Sequence, residues 1–142
     1  MKLRNFYYLF SLCFVFVIPA LVQAYFVWSR VSLANLVVFV VIMTIMGGLW
    51  DIWATRHGKR DKVWLWTFNR KDTLGITFFD LPIEEYLFYV ASSVSIVFLW
   101  EGLRFAQETG SAFMYVLVSS VGVWCLLFIL ISYIFLNKKD KI

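Results

Sequence analysis

Three carboxylates stand in an otherwise apolar and aromatic stretch, FFDLPIEEYLFYV, which covers residues 78–90. A charged carboxylate is costly to remove from water unless it is paired or hydrogen-bonded. Two carboxyls side by side in such surroundings do not both ionise readily, so one keeps its proton while the other remains a base. Glu84 and Glu85 are therefore candidates for acid/base chemistry on an apolar substrate.

The start of an ordinary helix explains part of this pattern. An aspartate at the N-cap, a proline in the first turn and acidic residues soon after are typical of helix N-termini. We therefore predict that Asp80 is a cap without chemical function. Two further carboxyls exceed what a cap requires, and ionisable residues inside a membrane span are functional candidates.

The elements that position these carboxyls are predicted to be membrane helices. Of the 142 residues, 62% are hydrophobic and 15% are charged, whereas soluble domains carry roughly 25% charge. The apolar runs show no period-2 alternation of the kind a membrane barrel needs. Each run reaches the roughly 20 residues that a membrane-spanning helix requires. The sequence predicts one all-α membrane domain over residues 1–142, a bundle of four transmembrane helices at about 6–28, 34–54, 81–100 and 112–136.

The basic residues predict the orientation of this bundle. Of the 13 Lys and Arg residues, all but Arg30 and Arg104 lie at the termini or in the loop at about 55–79. This asymmetry predicts that both termini and the loop are cytoplasmic, in a multi-pass protein of a bacterial-type inner membrane. The net charge of +4 then reflects topology and contact with lipid headgroups, and nucleic acid is not expected as a partner.

The first segment has a second interpretation. MKLR, an apolar run and ALVQA resemble a cleavable signal peptide, with Val22 and Ala24 as the small-residue site. Cleavage would leave three spans in the same orientation. If the segment is retained, Pro19 is expected to kink the first helix.

The predicted topology places a third carboxylate near the two glutamates. The second helix ends, and the third begins, on the cytoplasmic side, so Asp51 shares a membrane depth with Glu84 and Glu85. An ion pair with Arg56 is the alternative role for Asp51. Helical spacing gives the second and third helices one polar or small-residue face each, and these faces could meet: Thr44, Gly47, Gly48 and Asp51 on one, and Glu85, Tyr89 and Ser92, with Ser93 and Ser95 beside them, on the other.

Aromatic residues surround these carboxyls. Their π faces could stabilise a carbocation and so bind a reacting substrate, although a membrane-interface belt or simple packing explains any single ring equally well. The candidate substrate-binding residues are Trp50, Trp53, Tyr86, Phe88 and Tyr89. Cys13, Cys125 and His57 lack the spacing of metal ligands, so no metal site is expected.

Four sequence elements together resemble the lycopene cyclase domain family: WDIWA (50–54), WLWTFN (64–69), TLGI (73–76) and LPIEEYLFYV (81–90). The resemblance implies a redox-neutral cyclisation, in which a carboxyl protonates the end of a linear carotene and loss of a proton gives a β- or ε-ring. It implies that one of Glu84 and Glu85 is the acid, that the other glutamate or Asp51 is the base, and that no flavin or other cofactor is needed. Two such domains are expected to act together, as a homodimer or with a sister subunit.

Three other functions are compatible with a small membrane protein that carries buried carboxyls. A membrane prenyltransferase needs aspartates spaced as D-x-x-x-D to hold magnesium diphosphate, and the aspartates here are not so spaced. A small proton-coupled exporter needs a glutamate in its first span, and residues 6–28 contain no acidic residue. That absence counts against a transporter, but a non-catalytic membrane subunit or a small proton-coupled membrane transporter stays open as the alternative function.

Overall fold

The computed structural model describes residues 3–61 and 72–139, so the WLWTFN element lies outside the described residues. The first span is divided into α1 (Tyr7–Leu12), a π-helical turn (Cys13–Val17) and α2 (Ile18–Val27), and 3-10 turns flank it at Leu3–Phe6 and Trp28–Arg30. The remaining elements are α3 (Leu33–Asp61), a short hairpin of β1 (Thr77–Phe78) and β2 (Leu81–Pro82), α4 (Ile83–Thr109) and α5 (Ala112–Lys139).

The described residues contain four helical spans that are long and apolar enough to cross a membrane, as predicted. The side on which the termini lie stays a prediction from the charge count. The second and third spans continue beyond their predicted ends at residues 54 and 100. In α4 the added turns carry Glu101, Arg104 and Glu108, whose ion pairs at i,i+3 and i,i+4 support a helix outside the apolar run. This helix ends at Gly110, in the left-handed conformation that terminates many helices.

The start of α4 corrects the prediction for Asp80. A two-residue turn joins β1 to β2, and both of its residues, Phe79 and Asp80, have positive φ values, as in type I′ hairpins. The N-cap of α4 is Pro82, without a side-chain cap. The backbone N–H of Ile83 instead donates to the carbonyl of Ile76 at 3.0 Å. Asp80 is therefore a turn residue, because the hairpin backbone already occupies the capping position.

The first span departs from α geometry immediately before Pro19, at the π-helical turn. Proline has no N–H to donate within the helix, and a π turn leaves carbonyls available to other donors. Two side chains use them: Ser95 Oγ donates to the carbonyl of Phe16 at 2.8 Å, and Trp124 Nε1 donates to that of Phe14 at 2.8 Å. The irregular turn next to Pro19, where a kink was expected, is thus the place where side chains of α4 and α5 form hydrogen bonds to the first span.

Helix α4 is the centre of the bundle, since α1, α2, α3 and α5 all pack against it. An apolar core of Ala20, Val27, Phe98, Ala106 and Met114 fills the half of the bundle near the end of α4. At that same end, Arg30 forms ion pairs with Glu101 and Glu108. The other half of α4 carries the glutamates.

Candidate acid/base site

The structure brings the three candidate carboxyls together at one end of the bundle. Glu84 and Glu85 lie in the first turn of α4, and Asp51 lies in the part of α3 that packs on it. Their exposed fractions are 0%, 5% and 4%, respectively. Glu85 lies within electrostatic range of both Asp51 and Glu84. The expected proximity therefore results from the antiparallel packing of α3 on α4.

The first span supplies a residue that sequence reasoning missed. Tyr8, in α1, donates its phenolic O–H to Glu85 Oε1 at 2.6 Å. In sequence, a tyrosine at the start of an apolar helix looks like a membrane-interface residue. The sequence contained one indication of this contact. The predicted topology starts the first and third helices on the same side of the membrane, so Tyr8 and Glu85 are expected at a similar membrane depth.

Asp51 is bonded to α4 through Tyr89, whose O–H donates to Asp51 Oδ2 at 2.7 Å. The alternative pairing with Arg56 is not what the structure contains, since Arg56 pairs instead with Asp80 at 3.6 Å. Gly47 makes the Tyr89 contact possible. A Cβ on Gly47 would lie 2.1 Å from Cε1 of the Tyr89 ring. The predicted small-residue face of α3 thus meets the predicted polar face of α4.

Glu84 differs from its two neighbours. Its Oε1 accepts the backbone N–H of Leu74, and its Oε2 is buried with no hydrogen-bond partner among the described residues. The segment that supplies Leu74 is tied to the first span, because Asn5 Nδ2 donates to the carbonyl of Thr73 at 3.2 Å and the N–H of Tyr8 donates to that of Asp72 at 3.2 Å. Glu84 is therefore enclosed by the start of the bundle on one side and by residues 72–74 on another.

The site has no counter-ion in the part of the chain that the structure describes. None of the three carboxyls forms an ion pair there with a basic side chain. Three neighbouring anions in a buried site would repel one another strongly. A buried group of neighbouring carboxyls is an arrangement that can supply the proton that general acid catalysis requires. Residues 3–61 and 72–139 contain no group of three His, Cys, Asp or Glu side chains placed to hold a metal ion.

The five candidate substrate-binding aromatics separate into two groups. Trp50 and Trp53 are 64% and 46% exposed and pack against each other on the outer surface of α3, with ring centroids 5.2 Å apart. The other three lie on α4, and of these Tyr89 contacts a carboxyl directly, through its bond to Asp51. Phe88 contacts Tyr89 edge-on at 5.4 Å, and Tyr86 donates its O–H to the carbonyl of Phe78 in the hairpin at 3.1 Å.

Comparisons with known proteins add one finding. The model of the family described as lycopene cyclase matches residues 5–103. This match covers more than half of the chain and includes α1, α3, the hairpin and most of α4, which together carry every residue of the site. A comparison with curated proteins and one with solved structures each found no match. The chain therefore belongs to the lycopene cyclase family, with a function related to carotenoid cyclisation in a membrane.

Proposed function

We propose that the chain is a catalytic lycopene cyclase subunit that closes rings on the ends of a linear carotene without a cofactor. A protonated carboxyl donates to the terminal double bond of the substrate, and the internal double bond then attacks the resulting cation to form the ring. A carboxylate removes a proton from the cyclised cation. One proton enters and one leaves, so the reaction needs neither oxidant nor reductant.

The observation that carries this proposal is the cluster of Asp51, Glu84 and Glu85, which is buried where α3 and α4 meet and forms no ion pair with a basic side chain among the described residues. A hydrocarbon substrate offers no polar group for recognition, so chemistry on it needs a proton donor in an apolar site. Water exclusion also protects the cation from capture by solvent. Tyr86, Phe88 and Tyr89 are proposed to face the cation with their rings.

The outer surface of α3 supports a route for the substrate. Trp50 and Trp53 are exposed on the flank of the helix that carries Asp51, where a carotene dissolved in the bilayer would first contact the chain. Glu84 is fully buried, so the end group of the carotene reaches it only if some of the residues around Glu84 move. The charge count supports a bacterial-type inner membrane with the carboxyl site near its cytoplasmic face.

The test is pigment analysis of lycopene-accumulating cells that express the chain alone or together with a sister cyclase subunit, because the family resemblance implies two such domains. We expect cyclic carotenes in at least one of these strains. Glu84→Gln and Glu85→Gln should each lower ring formation by about 100-fold or more, the scale of general acid–base catalysis. Glu108→Gln makes the same change at an exposed position of the same helix and should retain activity. Unchanged lycopene in every strain would refute the catalytic function.

A further inference from the structure

Two of the three carboxyls in the site are held by tyrosine hydroxyls, each reaching from a different helix. The O–H of Tyr8 lies 2.6 Å from Glu85, and that of Tyr89 lies 2.7 Å from Asp51. A hydrogen bond donated to a carboxylate oxygen stabilises the charged form of that carboxyl. Both contacts therefore favour Glu85 and Asp51 as anionic acceptors with fixed orientations.

Glu84 receives no such bond from the tyrosines that the structure describes. Its Oε2 is buried and has no partner among the described residues. As an anion, Glu84 would leave that oxygen both desolvated and unsatisfied, which is costly. A proton on Oε2 has no competing acceptor there, so it is available to a carbon–carbon double bond, which is itself a poor acceptor. Once the proton has left, the N–H of Leu74 and the N-terminus of α4 both stabilise the new anion.

We propose that Tyr8 and Tyr89 are positioning residues that hold Glu85 and Asp51 as the bases of the site and leave Glu84 as its proton donor. This inference rests on the proposed cyclase function. The Glu84 O–H bond breaks as a C–H bond forms on the substrate, and the ring then closes by a new C–C bond. A neighbouring C–H bond of the cyclised cation breaks, and its proton passes to Asp51 or Glu85. Transfer of that proton to Glu84 restores the starting state.

The orientation of the bases has a chemical consequence. The cyclised cation has several kinds of neighbouring C–H bond, and loss of a proton from each gives a different position for the ring double bond. A base that is fixed by a tyrosine reaches one of these protons, whereas a base that is free to rotate reaches more than one. Loss of the tyrosine hydroxyl should therefore change the ratio of ring isomers as well as the rate. A general defect in folding lowers the yield but leaves that ratio unchanged.

The first test removes each hydroxyl. The assay measures ring formation from lycopene in membranes that contain the protein. Tyr8→Phe and Tyr89→Phe should each lower the rate of ring formation about 10- to 100-fold, as expected from the loss of one hydrogen bond to a charged group. Both variants should also give a mixture of ring isomers. Tyr25→Phe is the matched control, because Tyr25 lies in the same span and is largely exposed. If both test variants have the rate and the isomer ratio of Tyr25→Phe, the positioning role is wrong.

The second test identifies the donor by running the reaction in D2O. The unmodified protein should place deuterium in the ring. Glu84→Gln should give neither rings nor labelled carotene. The double variant Asp51→Asn/Glu85→Gln should also lack rings, but its recovered linear carotene should carry deuterium, because protonation by Glu84 occurs and reverses. Label in the Glu84→Gln sample, or its absence from the double variant, overturns the assignment. If the unmodified protein gives neither rings nor label, the cyclase function itself fails.

Discussion

The contact between Gly47 and Tyr89 offers a direct test of how helix packing controls this site. In Gly47→Ala the added methyl carbon would lie 2.1 Å from Cε1 of Tyr89 and 2.4 Å from its Cδ1 and Cζ, whereas ordinary contacts begin at 3.4 Å. The ring must therefore move by more than an ångström. Such a movement breaks the 2.7 Å bond to Asp51. Overpacking costs about 1–3 kcal/mol, and a lost hydrogen bond to a charged group costs about 1.5–3 kcal/mol.

Two other glycines provide graded controls for this substitution. A Cβ on Gly122, in α5, meets nothing within 4 Å, and one on Gly48 lies 3.2 Å from Tyr86. The fraction of detergent-solubilised protein that stays monodisperse after heating should fall in the order Gly122→Ala, Gly48→Ala, Gly47→Ala. Ring formation should be lost mainly in the last. In Gly47→Ala/Tyr89→Leu the smaller side chain should restore stability without activity. A Gly47→Ala protein as stable and active as Gly122→Ala would refute the packing argument.

Three further outcomes are expected elsewhere in the bundle. Trp124→Phe removes the donor to the Phe14 carbonyl and should destabilise the protein by about 1 kcal/mol, measured by the same heating assay. Arg30→Gln removes the ion pair between Arg30 and the partly buried Glu101, so the heat stability of the protein should fall. Because the pair is partly buried, this loss should depend less on salt concentration than the loss of an exposed ion pair does. Arg56→Ala breaks an exposed ion pair and should change stability by less than about 1 kcal/mol. A large loss in the last variant would contradict its assignment to the surface.

The sequence was sufficient to predict the spans and the proximity of Asp51 to the glutamates, because both follow from hydrophobic length and from the alternating direction of membrane helices. It also predicted the small-residue face of α3, since glycines beside a carboxylate indicate close helix packing. These features depend on the length, the direction and the residue spacing of individual helices.

What the sequence did not predict depends on contacts between distant segments. The bond from Tyr8 to Glu85 joins residues 77 positions apart, and no local pattern reports which face of the first helix meets α4. The hairpin before α4 was missed because Phe79 and Asp80 adopt positive φ values that are more typical of glycine and asparagine. The extra turns of α3 and α4 were missed because charged residues outside an apolar run look like a loop.

The low hydropathy of α4 has a consequence for how the protein is made. The most apolar 18 residues of α4 have a mean hydropathy of 1.4, against 2.2 to 2.4 in the other three spans, and the same helix also carries Glu84 and Glu85 in its first turn. A segment of this kind enters the lipid less readily during translation than its neighbours do. The first span and α3 precede it in the chain, so Tyr8 and the glycine face of α3 are already in the bilayer when α4 leaves the translocon. We therefore expect partition of α4 into the membrane to be coupled to helix assembly, with the contacts that order the carboxyls also favouring insertion of their helix.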